Sequence, residues 1–334
     1  MSGDMSAPLA PSAPLVRAER LGRSFAPRSL LLRGRAVPAV VDVSLSLGAG
    51  EAVGLVGESG SGKSTIGRLL LGLLPPTQGR VVFDGIELTG ASASVLRGLR
   101  RRMQLVFQDP YASLDPRRRV GSQIADGLAI HGLASGGAAR ARVRALLAEV
   151  GLPPDHAERY PHQFSGGQRQ RIGIARALAT GPDFLVADEP VSALDVSVQA
   201  QVLALLADLC RRRGLTLLFI SHDLPVVRHL CGRVVVLYLG RVMEEGSTEA
   251  VFATPRHPYT RALLAAAPRL DPSRQQRHPP LAGEPPSPAD PPSGCVFRTR
   301  CPHALPACAA KSPALREAGG AGQRAACIRD DIGD

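Results

Sequence analysis

A glycine-rich stretch that ends in a lysine and two hydroxyl side chains is the part of this sequence best suited to bind phosphate. Residues 57–65 read Gly-Glu-Ser-Gly-Ser-Gly-Lys-Ser-Thr and directly follow the apolar run Ala52–Val56. In a GxxxxGK[ST] pattern between a strand and a helix, the glycines let backbone N–H groups face a phosphate, and the helix N-terminus adds a favourable dipole. The spacing predicts that Lys63 reaches the β- and γ-phosphates, that Ser64 ligates Mg²⁺ and that Thr65 bonds the α-phosphate. The residues expected to bind the nucleotide here are Gly57, Ser59, Gly60, Ser61, Gly62, Lys63, Ser64 and Thr65.

A pair of carboxylates follows another apolar run later in the chain. Residues 184–189 read Phe-Leu-Val-Ala-Asp-Glu. Burying acids at the end of a strand is costly unless they meet a cation or a reactive water. We expect Asp188 to hold Mg²⁺ through its water shell, and Glu189, which faces the other way, to polarise the attacking water. Combined with the phosphate loop, this pair predicts ATP hydrolysis.

The stretch Phe164-Ser165-Gly166-Gly167-Gln168-Arg169-Gln170-Arg171 resembles the signature motif of the nucleotide-binding subunits of ABC transporters. In that family the motif starts a helix whose N-terminal amides and serine hydroxyl meet the γ-phosphate of ATP held on the other subunit. The resemblance implies that this chain acts as a dimer, with ATP closing the interface. The signature residues that would contact ATP in trans are Ser165, Gly166, Gly167 and Gln168.

Three shorter motifs strengthen the resemblance and are in the family's order. Gln108, in Val106–Asp109, matches the glutamine that senses the γ-phosphate, and with Ser64 and Asp188 it would complete the Mg²⁺ environment. His222, in Ile220–Asp223, matches the histidine that contacts the γ-phosphate and orients Glu189. The loop that spans the dimer seam is matched by Ser192-Ala193-Leu194-Asp195, with Ser192 and Asp195 at the seam.

The aromatic ring that stacks on adenine is harder to assign. Phe25, in Leu21–Phe25, is the best candidate, although the family usually offers tyrosine at this place. An insertion at 26–38 follows this motif, and packing in the core is the alternative role for this ring.

Three stretches narrow the resemblance to the ATPases of oligopeptide and dipeptide importers: residues 108–116, 191–201 and 257–264. Such systems carry two ATPase subunits, and the signature sequence at 164–171 is similar to that of the second, F-type subunit. The resemblance implies a second, non-identical ATPase, two membrane permeases and an extracytoplasmic solute-binding protein as partners, with this chain peripheral on the cytoplasmic face of the membrane. Nickel or another small solute remains an alternative cargo, because specificity resides in the other subunits. A soluble ABC ATPase outside transport is a further alternative, but it would carry a coiled-coil insertion or tandem cassettes.

Four cysteines crowd into the end of the chain: Cys295, Cys301, Cys308 and Cys327. Their spacing lacks the paired short steps of a zinc finger. Four thiolates in loose loops, with Pro302 directly after one of them, suit a [4Fe–4S] cluster better, and residues 294–302 resemble the C-terminal part of peptide-importer ATPases, where such a cluster is known. Structural zinc and unliganded thiols remain alternatives. We expect this tail to form a separate small unit, apart from the ATP site.

The elements that position these residues can be outlined from apolar periodicity. Strands are predicted at Val40–Val43, Ala52–Val56, Arg80–Phe83, Phe184–Ala187 and Leu215–Ile220, and helices at Ile66–Leu71, Ala138–Val150 and Val198–Arg212, with Gly151 as a stop. Short apolar strands between helices indicate a buried parallel sheet. We therefore predict an α/β fold: an ABC ATPase core with a parallel sheet, an antiparallel β-subdomain, a helical signature subdomain at about 100–175, and a Cys-bearing C-terminal unit. The domain limits would be 15–255 for the ATPase and 256–334 for a Pro-rich strap and the tail.

Charge and composition exclude several classes. The formal charge is +11, but aromatic residues make up 4% of the 334 residues, so few stacking platforms for single-stranded nucleic acid are present. The chain's basic residues are nearly all arginines, which we attribute to a GC-rich genome, and we expect no nucleic-acid partner. No run reaches the roughly 18 apolar residues of a membrane span, and the N-terminus lacks the features of a secretory signal.

Overall fold

The computed structural model describes residues 13–26, 36–109, 111, 113–266, 283–320 and 322–331. The N-terminal arm through residue 12, most of the predicted insertion, Pro110, Ala112 and residues 271–282 of the Pro-rich strap lie outside these ranges. Within them, no helix is long and apolar enough to cross a membrane.

An antiparallel sheet of four strands lies on one side of the core. Its order is β2-β1-β4-β5. Its strands are β1 (Val16–Phe25), β2 (Val37–Leu47), β4 (Gln78–Phe83) and β5 (Ile86–Glu87). In β2, buried and more exposed positions alternate from Val43 to Leu47, as expected for a sheet with one face on the core.

A larger sheet of eight strands holds the centre of the molecule. Its order is β11-β12-β10-β9-β3-β8-β7-β6, and the pairs that join β9, β3, β8, β7 and β6 are parallel. Its strands are β3 (Ala52–Val56), β6 (Met103–Val106), β7 (Phe184–Asp188), β8 (Thr216–Ser221), β9 (Arg233–Tyr238), β10 (Arg241–Ser247), β11 (Arg316–Glu317) and β12 (Arg324–Ala325). All residues of β7 and β8 are buried, because helices cover both faces of the parallel part.

Helices surround this sheet and form a subdomain beside it. They are α1 (Lys63–Leu70), α2 (Ala93–Arg100), α3 (Val120–Ile130), α4 (Gly136–Glu149), α5 (Gly166–Leu178), α6 (Val196–Arg213), α7 (Leu224–Leu230), α8 (Thr248–Ala253), α9 (Pro258–Ala266) and α10 (Ala307–Ala310). Helices α3, α4 and α5 pack together through fully buried side chains such as Ile124, Leu146 and Ile172. The predicted fold class is thereby confirmed: a parallel core, an antiparallel β-subdomain and a helical subdomain that carries the signature.

The predicted elements agree with the structure where glycines or changes in apolar pattern mark their ends. The strand at Ala52–Val56 has the predicted limits. Helix α4 starts two residues before and ends one residue before the prediction, and Gly151 follows it with φ +74°. Strand β6 is a difference, because it lies in a region that was predicted to be helical. Four residues are too few to show a period, and pairing with β7 decides their conformation.

The tail is not the separate unit that was predicted. Strand β12 pairs with β10, and the Ala326 N–H donates to the Met243 carbonyl at 2.7 Å. The buried Glu244 carboxylate of β10 accepts hydrogen bonds from the Gln323 side chain at 2.7 Å and from the His257 N–H at 2.9 Å. Burial raises the pKa of Glu244, and these donors oppose the shift. The tail therefore extends the central sheet and shares its core.

Candidate nucleotide-binding site

The phosphate loop leaves the carboxyl end of β3 and enters α1. Neighbouring strands β8 and β9 run parallel to β3, so the loops that follow these strands meet at one edge of the sheet. Gly62 precedes α1 with φ +99°, and a Cβ at this position would lie 2.3 Å from the Ala39 carbonyl oxygen. Only glycine allows the loop to turn here with its N–H groups facing the cavity.

Lys63 is a buried cation at the base of the loop. Its side chain donates to the carbonyl oxygens of Gly57 at 2.7 Å and Glu58 at 2.9 Å. Burial lowers the pKa of Lys63, and the carboxylates of Glu189, Asp188 and Glu58 oppose that shift. The ammonium is therefore held by two backbone carbonyls and lies near three carboxylates.

The Ser64 hydroxyl and the Asp188 carboxylate join the phosphate loop to the end of β7. Ser64 Oγ donates to Asp188 Oδ1 at 2.8 Å. Burial raises the pKa of Asp188, and the bond from Ser64 opposes the rise. A hydroxyl and a carboxylate oxygen side by side are hard donors of the kind that Mg²⁺ prefers. The two residues fit the predicted role in holding Mg²⁺.

Glu189 lies between the two polar side chains that were predicted to act with it. Gln108 Nε2 donates to Glu189 Oε2 at 3.0 Å, and His222 Nδ1 lies 3.4 Å from the same oxygen. Glu189 has φ +46°, a left-handed conformation that is costly for a residue with a Cβ. Its N–H donates to the Ile220 carbonyl at 3.0 Å, so the backbone is fixed against β8.

These groups surround one open cavity of about 490 Å³. Its walls include six of the eight loop residues that were predicted to bind the nucleotide; of the other two, Gly57 packs against the Leu237 carbonyl and the Ser61 side chain is buried. Ser61 Oγ has no hydrogen-bond partner within the described part of the chain. Ala39 was missed, since an alanine in a strand carries no chemical signal. The lining residues are Ala39, Ser59, Gly60, Gly62, Lys63, Ser64, Thr65, Gln108, Glu189 and His222.

The signature residues differ in exposure: Ser165 is exposed and Gly167 is buried, and none of Ser165, Gly166, Gly167 and Gln168 lines this cavity as far as the structure is described. Ser165 caps α5, accepting from the Gln168 N–H at 3.4 Å, while its own N–H donates to Gln168 Oε1 at 3.0 Å. A Cβ on Gly167 would lie 2.2 Å from a methyl of Val198, so this glycine allows α5 to pack against α6. The start of α5 is therefore capped within the chain, with Ser165 exposed to solvent.

The seam residues and the candidate adenine ring are also exposed. Ser192 Oγ donates to the Glu189 carbonyl at 3.1 Å, and Asp195 precedes α6. Phe25 ends β1 with 38% of its surface exposed and the Arg23 guanidinium 5.0 Å from its ring centre. It is not a core residue, and among the described residues it does not line the cavity. Its stacking on adenine stays a prediction.

The four tail cysteines line one small cavity of about 10 Å³, and the described residues contain no group of three or more His, Cys, Asp or Glu side chains placed to hold a metal ion. Cys295 N–H donates to the Cys308 carbonyl at 2.8 Å. Burial raises the pKa of Cys301 to about 11 and also raises those of Cys295 and Cys327. Four cysteines line one space beside Arg298 and Arg329, and thiols are the donors that iron–sulfur clusters use.

Comparisons with known proteins agree with this geometry. The ABC transporter family model matches residues 40–192, and the model of the oligopeptide/dipeptide transporter C-terminal region matches residues 243–308. A putative peptide import ATP-binding protein of Brucella ovis is 56% identical over 96% of this chain and 99% of its own length. The oligopeptide transport ATP-binding protein AppF of Bacillus subtilis is 51% identical over 84% of this chain and 87% of its own length. A solved dimer of the ATP-binding cassette MJ0796, bound to ADP and Pi, is similar with a TM-score of 0.63 and 31% identity, over 70% of this chain and 98% of that one.

Proposed function

We propose that this chain, which belongs to the ABC transporter ATP-binding proteins, hydrolyses ATP to drive the import of peptides through a membrane transporter. The observation that carries the proposal is the contact of Glu189 with Gln108 and His222 at the mouth of a phosphate loop. The relatives named for peptide import cover nearly the whole chain, including the C-terminal region. That region supports peptides as the cargo.

The chain's own residues divide the work of hydrolysis. Lys63 leaves the Gly57 and Glu58 carbonyls for the β- and γ-phosphates, because a phosphate offers it more negative charge. Ser64 and Asp188 would hold Mg²⁺, which neutralises charge on the phosphates when it is bound. Glu189 accepts a proton from the attacking water, and His222 and Gln108 keep its carboxylate aimed at the γ-phosphate.

The site is completed by a second subunit. Ser165 is exposed at the start of α5, and none of Ser165, Gly166, Gly167 and Gln168 lines the cavity of its own chain within the described residues. The MJ0796 cassette, whose fold is similar, is a dimer. We expect the signature of one subunit to face the phosphate loop of the other, with Ser192 and Asp195 at the seam, so that ATP closes the dimer and hydrolysis reopens it.

The other partners follow from the same family. A second, non-identical ATPase subunit would share the two composite sites, two permeases would anchor the pair at the cytoplasmic face of the membrane, and an extracytoplasmic binding protein would deliver the peptide. Gln108 and the stretch after it would pass the closing motion to the permeases.

The four-cysteine cavity would hold a [4Fe–4S] cluster. Four sulfur donors around one space support this over zinc, because the proline-rich loops between them lack the short paired steps of zinc sites. Protein purified without oxygen should be brown and contain about four iron atoms per chain. Colourless protein with one zinc would contradict the assignment.

Transport by the reconstituted complex tests the function. Vesicles that contain the permeases, both ATPases and the binding protein should accumulate a labelled oligopeptide only when MgATP is supplied on the ATPase side. Lys63→Ala should abolish uptake, while Arg212→Ala, at an exposed ion pair on the last turn of α6, should not. ATP-independent uptake, or full uptake by Lys63→Ala, would contradict the proposal.

A further inference from the structure

An ion pair joins the cysteine tail to the phosphate loop. Arg300 lies between Cys295 and Cys301, and its guanidinium meets the Glu58 carboxylate through two nitrogens, at 2.7 and 3.0 Å. The Arg300 side chain is 5% exposed, so the pair is shielded from solvent on the arginine side. The bidentate contact with Glu58 raises the pKa of Arg300. Two-point Arg–carboxylate contacts fix orientation as well as charge.

Glu58 is the second residue of the phosphate loop, and it is held at three points. The Arg300 guanidinium binds its carboxylate, the Tyr259 hydroxyl accepts from its N–H at 2.9 Å, and its carbonyl accepts from Lys63 at 2.9 Å. The last contact involves the same ammonium that is expected to move to the phosphates. Any shift of Glu58 therefore changes the starting position of Lys63.

A cluster of three aromatic rings contacts Arg300 and Glu58. Tyr238, Tyr259 and Phe297 are fully or almost fully buried, and their ring centres lie 4.7–5.3 Å apart. The Tyr238 hydroxyl accepts from Arg300 at 3.3 Å. Since Tyr238 ends β9 and Phe297 belongs to the tail, the cluster ties the tail to the parallel sheet directly beneath the loop.

We propose that Arg300 is a positioning residue for the phosphate loop, which sets the affinity for ATP by holding Glu58 in place. Because Arg300 directly precedes Cys301, this contact also connects the cysteine tail to the phosphate loop. The inference rests on the proposed ATPase function, but it concerns a contact that the hydrolytic mechanism does not use.

The test compares ATP affinity in matched variants of the full chain. Arg300→Met removes the charge and both donors, and Glu58→Gln keeps the backbone contacts of Glu58 while removing its charge. Arg316→Met is the control, because Arg316 is also a tail arginine in an ion pair, with Asp330, but it does not contact the loop. Binding of a fluorescent ATP analogue and steady-state hydrolysis are measured for each variant. The midpoint of thermal unfolding is recorded on the same samples to show that each variant is folded.

We expect Arg300→Met and Glu58→Gln each to weaken ATP binding about tenfold, with KM raised about as much and kcat lowered no more than about twofold. The double variant should be no weaker than the Arg300 single variant, because it leaves no buried charge without a partner. Arg300→Lys should recover part of the affinity, and Arg316→Met should bind ATP like the wild type.

Equal ATP affinity in the wild type and Arg300→Met, with both proteins folded, would overturn the inference. So would an equal loss in Arg316→Met, or a loss confined to kcat. If Arg300→Met does not fold, Glu58→Gln decides the question alone, since its carboxamide keeps the shape of the side chain. A wild-type chain that binds no ATP would instead contradict the proposed function, so the two failures are distinguishable.

Discussion

The ATP cavity and the cysteine cavity are built in opposite ways. The first lies where loops leave the carboxyl ends of parallel strands, and its side chains are fixed by strand ends and a helix start. The second lies among turns around a helix of four residues that carries Cys308, and its other three cysteines lie outside helices and strands. Short motifs at strand ends therefore specify the ATP site, whereas no regular element fixes three of the four cysteines.

The two regions nevertheless share one core. Arg300 reaches from the tail to Glu58 in the phosphate loop, and β12 extends the sheet that carries the loop. A region with few helices and strands can therefore act on a rigid site when buried contacts connect the two.

The largest expected effect concerns the ATP cavity alone. Glu189→Gln removes the carboxylate that accepts the proton but keeps the side-chain shape and a hydrogen bond with Gln108. We expect turnover to fall at least about a hundredfold, a barrier increase of about 3 kcal/mol, with ATP affinity unchanged. Steady-state phosphate release and ATP binding by the same preparation check this. Near-normal turnover would show that another group activates the water.

An intermediate effect is expected in the signature helix. Gly167→Ala places a methyl group 2.2 Å from a methyl of Val198 and should destabilise the chain by about 1–3 kcal/mol. Gly173→Ala in the same helix meets nothing within 4 Å and should stabilise it by about 0.5–1 kcal/mol.

Urea unfolding of the two glycine variants beside the wild type measures the difference. A Gly167→Ala protein as stable as Gly173→Ala would mean that α5 and α6 are not in close contact.

The smallest expected effect is that of a substitution in the cysteine tail on ATP binding. Cys301→Ser should remove the iron from anaerobically purified protein, and through Arg300 it should weaken ATP binding about threefold. Cys210→Ser is the control, because this thiol lies in α6, away from the tail. Iron content and ATP affinity are measured on the same samples. Lost iron with unchanged ATP affinity would separate the two regions after all.

The sequence predicts which residues meet at the ATP cavity, because the motifs are short and are bounded by glycines and strand ends. Glycines require left-handed turns at residues such as Gly62, and an apolar run that ends in Asp188 and Glu189 places both acids at a strand end. Strands β1 and β10 are among the elements that escaped prediction, because their ranges carry charged or small residues and gain their conformation from pairing.

Contacts over long sequence distances escaped prediction as well. Glu58 and Arg300 are separated by 242 positions, and neither has a local pattern that points to the other. The tail was expected to stand apart because its prolines and cysteines indicate loops, and nothing local to residues 324–325 announces a strand. The hydrogen bond from Gln323 to the buried Glu244 likewise depends on tertiary packing and has no local sequence pattern.

The central claim is that a complete ATP site needs the phosphate loop of one subunit and the signature of another. Sedimentation velocity of the Glu189→Gln chain, alone and with its partner ATPase, tests it directly. MgATP, but not MgADP, should shift the mass from monomer to dimer. Adding Ser165→Arg should leave ATP binding to the monomer intact, while raising the ATP concentration for half-dimerisation at least about tenfold. Dimerisation by ATP that is indifferent to Ser165→Arg would contradict the claim.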